Sequence, residues 1–219
     1  MRTKILLFAA AALAAGVVSS NASPVYSANV VGYYNIPLVA GQQTLVGNQL
    51  INGTSNDVAT LLGTLPNKTT IATWTGSTFA STEKLGGVWT PSDPQIAVGQ
   101  GFFIQTSASA GAQTNTFVGT VTANVGASVT NTYAGSVQSL ICSPIPYSGT
   151  LADTSNIDLG TLPNKTTISV WNPGSSTYSS TEKLGGVWTP SVFSISVGQG
   201  FFITPPTAGA TLIQSLPSS

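Results

Sequence analysis

Five short stretches of the chain, TTIATW, SISVGQGFFIT, TNTFVGTV, ASVTNTY and SVQSLI, are rich in β-branched and aromatic residues and are set apart by clusters of Gly, Pro, Asn and Ser. That pattern predicts strands joined by tight turns. The one helical candidate is a short turn over Asp57 to Leu62, with Asn56 or Asp57 placed to cap it. LPNK reads as a type I turn, in which Pro66 and Pro163 preset φ at the second position and Asn67 and Asn164 tolerate the third. Side chains alternate across a strand, so the faces can be sorted. Ile71 and Thr73 oppose Ala72 and Trp74; Ile168 and Val170 oppose Ser169 and Trp171; Phe102 and Ile104 oppose Phe103 and Gln105; Phe201 and Ile203 oppose Phe202 and Thr204. Val88 and Trp89, like Val187 and Trp188, point apart if that segment is extended. The aliphatic set is the natural core face, which leaves an aromatic set with no place in a simple two-sheet core.

The same elements occur twice. LGTLPNKTTI at Leu62 to Ile71 returns at Leu159 to Ile168, an offset of 97, while STEKLGGVWTPS at residues 81–92 and VGQGFFI at residues 98–104 return at an offset of 99. The two extra residues fall where TGST, between Trp74 and Phe79, becomes NPGSST between Trp171 and Tyr178. Insertions settle in exposed loops, so this point is a hairpin tip. The repeat divides the chain into a unit over 23–120 and a second over 121–219, each of a size usual for a small β-sandwich.

Ahead of the first unit, Arg2 and Lys4 precede an apolar run from Ile5 to Val18 and small residues at Ser20 and Ala22. This is the pattern of a secretory signal peptide over residues 1–22. It predicts a secreted product, extracellular or held at the cell surface, with no segment inserted in a membrane. The remaining chain carries four lysines against six carboxylates, a net charge of −2. Only 5% of all residues are charged, against roughly 25% in ordinary globular chains. So little mutual repulsion favours self-association, and the absence of clustered Lys and Arg argues against nucleic acid as a partner.

Scarce charge also limits chemistry. The chain has no histidine, which removes imidazole-dependent triads and metal sites, and its one cysteine, Cys142, cannot form an internal disulfide. Cys142 reads as a small buried residue; the first copy has Gly47 in its place. Glu83–Lys84, repeated as Glu182–Lys183, is the one duplicated charge pair. Two glutamates could serve as an acid and base pair if a cleft brought them together. The simpler reading is a solvated charge guarding a strand edge. With so few titratable groups, stability is expected to stay flat from neutral pH to about 3.

The aromatic face admits three accounts. Its residues are core of a sheet covered on both sides, or an interface between units or molecules, or a platform on which a sugar ring stacks while nearby amides and hydroxyls bond its hydroxyl groups. The candidate binding or assembly residues are Trp74, Trp89, Phe103, Trp171, Trp188 and Phe202.

At the level of LPNKTTIATW, GGVW, VGQGFFI and TFVGTV, the chain resembles a broad group of uncharacterised secreted bacterial proteins with two β-rich repeats. The resemblance implies export and β architecture and assigns no activity. The chain departs from that pattern at Lys68 and Lys165, where the turn usually has Gly, and at Val98 and Val197, where Pro usually precedes the Gly. The expectation is an all-β protein of two tandem β-sandwich-type units with short hairpins and at most one helical turn per unit. Its expected role is that of a non-catalytic structural protein assembling with itself as a fibre, sheath or surface layer, without metal or cofactor. A carbohydrate-binding or adhesion module, with polysaccharide as partner, is the alternative.

Overall fold

The computed structural model describes residues 31–53, 55–122, 127–151, 157–159, 162–191 and 193–215. The signal peptide expected over residues 1–22 lies outside them. The protein is all-β, and every ladder among the described residues is antiparallel. The first copy contributes β1 (Val31–Leu38), β2 (Gln43–Gly47), β3 (Thr70–Trp74), β4 (Phe79–Leu85), β5 (Val88–Thr90), β6 (Gly101–Gln105) and β7 (Gln113–Thr120). Its helical turn, α1 (Val58–Leu62), starts where the sequence pattern places it, with the Asp57 carboxylate accepting from the Thr60 amide at 2.6 Å. The second copy contributes β8 (Ser128–Tyr133), β9 (Ser139–Cys142), β10 (Gly149–Thr150), β11 (Ile157–Asp158) and β12 (Thr167–Asn172). It continues with β13 (Thr177–Leu184), β14 (Val187–Thr189), β15 (Ser194–Ile195), β16 (Gly200–Thr204) and β17 (Ala210–Ser215).

Each copy builds a five-stranded sheet, β2-β6-β3-β4-β5 in one and β9-β16-β12-β13-β14 in the other. A smaller sheet covers the aliphatic face of each. β1 and β7 bring Tyr34, Ile36, Leu38 and Phe117 onto Val46, Ile71, Phe102 and Ile104, with Leu61 and Leu62 of α1 closing the end. In the second copy Ala210 and Leu212 of β17 lie on Ile168, Val170, Phe201 and Ile203. A third apolar seam joins the opposite faces of the two large sheets: Leu45, Ala72, Trp74 and Phe103 meet Leu140, Trp171 and Phe202. The result is four β layers separated by three apolar seams, and the middle one takes the surplus aromatic face.

The repeated STEKLGGVWTPS segment is β4, a two-residue turn and β5. Gly86 and Gly87 sit at φ 58° and 88°, and Gly185 and Gly186 at 57° and 85°, as a tight hairpin requires. The LPNK turn is tied to it, because the Asn67 side chain accepts from the Gly87 amide at 2.8 Å and Asn164 accepts from Gly186 at 2.7 Å. Lys68 and Lys165 lie at φ 66° and 69°. That left-handed conformation suits glycine better than a residue with a Cβ.

The reading of Glu83–Lys84 as solvated edge charges is corrected for the lysine. Lys84 is buried, and its Nζ donates to the carbonyls of Gly63 and Leu65 at 2.6 and 2.8 Å. Lys183 is buried in the same way, with Nζ donating to Leu162 at 2.8 Å. In the first copy the physical reason lies in the carbonyls just past the end of α1, which have no further turn of helix to accept from. Replacing the amine leaves them unsatisfied, so Lys84→Met is expected to cost about 2 kcal/mol. Urea unfolding curves at constant slope measure that loss; a midpoint equal to the parent's contradicts the assignment.

Candidate functional site

The two copies meet about a pseudo-twofold axis, and the contacts come in reciprocal pairs. The Gly47 amide donates to the Gly198 carbonyl at 2.7 Å, and the Cys142 amide, in the equivalent place, donates to Gly99 at 2.9 Å. Trp74 Nε1 reaches across to the Gln138 carbonyl at 2.7 Å while Trp171 Nε1 reaches back to Gln43 at 2.9 Å. The rings repeat the exchange: Trp74 meets Phe202 edge-on at 5.6 Å and 89°, and Trp171 meets Phe103 at 5.5 Å and 88°. Such contacts each add about 0.5–1.5 kcal/mol to the area they bury. The second Gly of each GQGFF also belongs to this junction, since a Cβ on Gly101 or Gly200 would stand 2.9 Å from the carbonyl oxygen of Ile141 or Val46 in the other copy.

On the axis itself lie Gly47 and Cys142. A Cβ built on Gly47 would fall 2.1 Å from the Cys142 Cβ, so this point has room for one side chain. The difference between copies at this position is therefore a fit between neighbours. Around it the buried Gln49 side chain spans both units, donating to the Ile145 carbonyl at 3.1 Å and accepting from the Gly198 amide at 2.8 Å. The Tyr34 hydroxyl donates to the Gly47 carbonyl at 2.7 Å.

Of the six candidate residues, Trp74, Phe103, Trp171 and Phe202 come together at this junction. Trp89 and Trp188 do not. They turn inward from β5 and β14 to the separate core of each unit, while Val88 and Val187 turn outward. Sequence reasoning missed Phe79 and Tyr178. These equivalent residues open β4 and β13 after the hairpin tips, pack edge-on against Trp74 and Trp171 at 4.9 Å, and remain 43% and 44% exposed. Their signal was the aromatic kept at the end of a loop whose length changes between copies. Glu83 and Glu182 stand one per unit on β4 and β13, each between threonines of the neighbouring strands. Among the described residues no group of His, Cys, Asp and Glu is placed to hold a metal ion, and no helix is long and apolar enough to cross a membrane.

The fold and junction define a pseudo-symmetric pair of β-sandwich units sharing an aromatic seam. No protein family, curated protein or solved structure matches the chain.

Two outcomes follow from the junction. Gly47→Ala forces a collision with Cys142 and is expected to destabilise by about 1–3 kcal/mol. The exchanged pair Gly47→Cys with Cys142→Gly should recover most of that loss in thermal unfolding, because one side chain again occupies the axis. The second concerns pH. Burial raises the Cys142 thiol and the Tyr34 hydroxyl far above their ordinary values. The unfolded chain then releases those protons first, so their contribution is complete below about pH 8.5 and is lost as pH rises, by up to about 1.4 kcal/mol per unit for each group. At the acid end, hydrogen bonds from Ser55 and Thr60 hold the Asp57 carboxyl low, and that contribution is lost only as pH falls below about 4. Melting temperature should be level between pH 5 and 8 and fall above about 9; a steep loss between 7 and 5 contradicts this.

Proposed function

We propose that this is a non-catalytic structural protein, exported from the cell, that assembles with itself into a fibre, sheath or layer. One observation carries the reading: both units present the same bare apolar edge. β5 and β14 are the outermost strands of their sheets, each hydrogen-bonded on one side among the described residues. Val88 and Val187 are both 65% exposed, and Leu85 and Leu184 are both 48% exposed. The Leu-Gly-Gly-Val tips thus form two equal patches on one molecule. Two equal, mutually compatible patches link copies into an open chain instead of closing a dimer.

Charge supports the same reading. Edge strands of monomeric proteins are commonly protected by lysine, yet the lysine at each of these hairpins is turned inside. Pro91 and Pro190 limit each edge strand to three residues, so side-chain contact at the tip supplies more of the association than backbone pairing. The leader pattern at residues 1–22 supports export, and the resemblance to secreted two-repeat proteins agrees with it.

Assembly should rise with concentration and be blocked by charge at the tips. In light scattering and negative-stain microscopy, Val88→Lys with Val187→Lys is expected to yield monomers under conditions where the parent forms extended particles. Either single variant should stop growth at dimers. A parent that stays monomeric at every concentration ends the proposal.

A further inference from the structure

The aromatic seam is not closed on all sides. Where it reaches the surface, Phe79 and Tyr178 flank an open cleft of about 320 Å3 with Trp74 at one wall and the buried Phe202 beneath. Phe202 makes edge contacts to both flanking rings, at 6.4 Å to Phe79 and 5.7 Å to Tyr178. The remaining lining comes from Gln138, Ser169 and Ser180, so the walls carry amide and hydroxyl groups and no charge.

The difference between the repeats points the same way. At the positions that correspond across the axis, the first copy has Ala72 where the second has Ser169, and Phe79 where the second has Tyr178. In copies that keep twelve consecutive residues unchanged, both of these changes add a hydroxyl to the one cleft. The Ser169 and Ser180 hydroxyls already bond each other at 2.7 Å, which leaves further lone pairs and rotors directed by that pair to a ligand. The Tyr178 hydroxyl makes no hydrogen bond to the described residues. A purely apolar ligand would leave these groups unsatisfied, and a charged one would find no counter-charge.

We propose that this cleft binds a short segment of an uncharged polysaccharide, with a sugar ring against the half-exposed faces of Phe79 and Tyr178 and its hydroxyls on Ser169, Ser180, Gln138 and the Tyr178 oxygen. The site goes beyond self-assembly, since it lies on the seam and not on the Leu-Gly-Gly-Val tips. An assembled layer with one such cleft per copy would hold glycan by many weak contacts at once.

Affinity electrophoresis and calorimetry with cellohexaose, laminarihexaose, mannohexaose and chitohexaose test it, with polygalacturonate and dextran sulfate as charged comparisons. At least one neutral glycan is expected to bind. Tyr178→Ala or Phe79→Ala should weaken it tenfold or more, Tyr178→Phe about threefold, and Tyr33→Ala on the outer face of β1 not at all. Tyr178→Phe keeps the ring and so reads the hydroxyl in a protein whose packing is unchanged. The tip-charged Val88→Lys, Val187→Lys protein should bind as the parent does, which separates this site from assembly. The proposal is overturned if none of the neutral glycans binds, if the charged polymers bind as well as the neutral ones, or if binding survives Tyr178→Ala and Phe79→Ala intact.

Discussion

The constraint on which the rest depends is that each large sheet is apolar on both faces. A sandwich covers one face only, so a single unit would leave Trp, Phe and Leu side chains in water. The second copy covers them, and the pseudo-twofold relation lets one surface serve as its own complement. The two tryptophans fix the relation, because each indole N–H donates to a backbone carbonyl of the other copy and so ties its strand to that copy's edge. Close approach of the sheets then requires glycine at Gly101 and Gly200, and one side chain shared between Gly47 and Cys142. The identity of VGQGFFI in both copies follows from this, since each copy's segment must fit the other's backbone.

The same geometry places the chain's few charged side chains. Both hairpin lysines turn inward to carbonyls near the core, so the outermost strands present valine and threonine, with Leu85 and Leu184 exposed at the turns beside them. An inward amine stabilises the unit and at the same time removes the charge that keeps sheet edges apart. In the proposed assembly, stability and association are thereby coupled in one residue type. The hydroxyl-rich surface keeps such a molecule wet without conferring charge repulsion between copies.

Much of this was legible from residue order. The strands, a helix cap at Asn56 or Asp57, the hairpin tip between Trp74 and Phe79 and the separation of aliphatic from aromatic faces all rest on local rules of turn chemistry and alternation. Ile71 and Trp74 therefore fell on opposite faces as expected. Two features were out of reach. Lys84 reads as a surface charge, because nothing adjacent in sequence shows that Gly63 and Leu65 present bare carbonyls to it. Trp89 was grouped with Trp74 as the aromatic opposite an aliphatic neighbour, yet adjacency to Val88 leaves open which of the pair turns inward.

The sequence by itself determined the β architecture and the surplus of aromatic side chains on one strand face, which follow from patterns within about ten residues, and the duplication, which follows from identical segments at offsets of 97 and 99. Tertiary structure alone decided that the surplus is shared between the copies, that Cys142 answers Gly47, and that Phe79 and Tyr178 open a cleft where the seam meets water. Those are relations between residues 64 to 128 positions apart. Such contacts are set by how two twisted sheets pack, and periodicity along one strand carries no record of the sheet opposite.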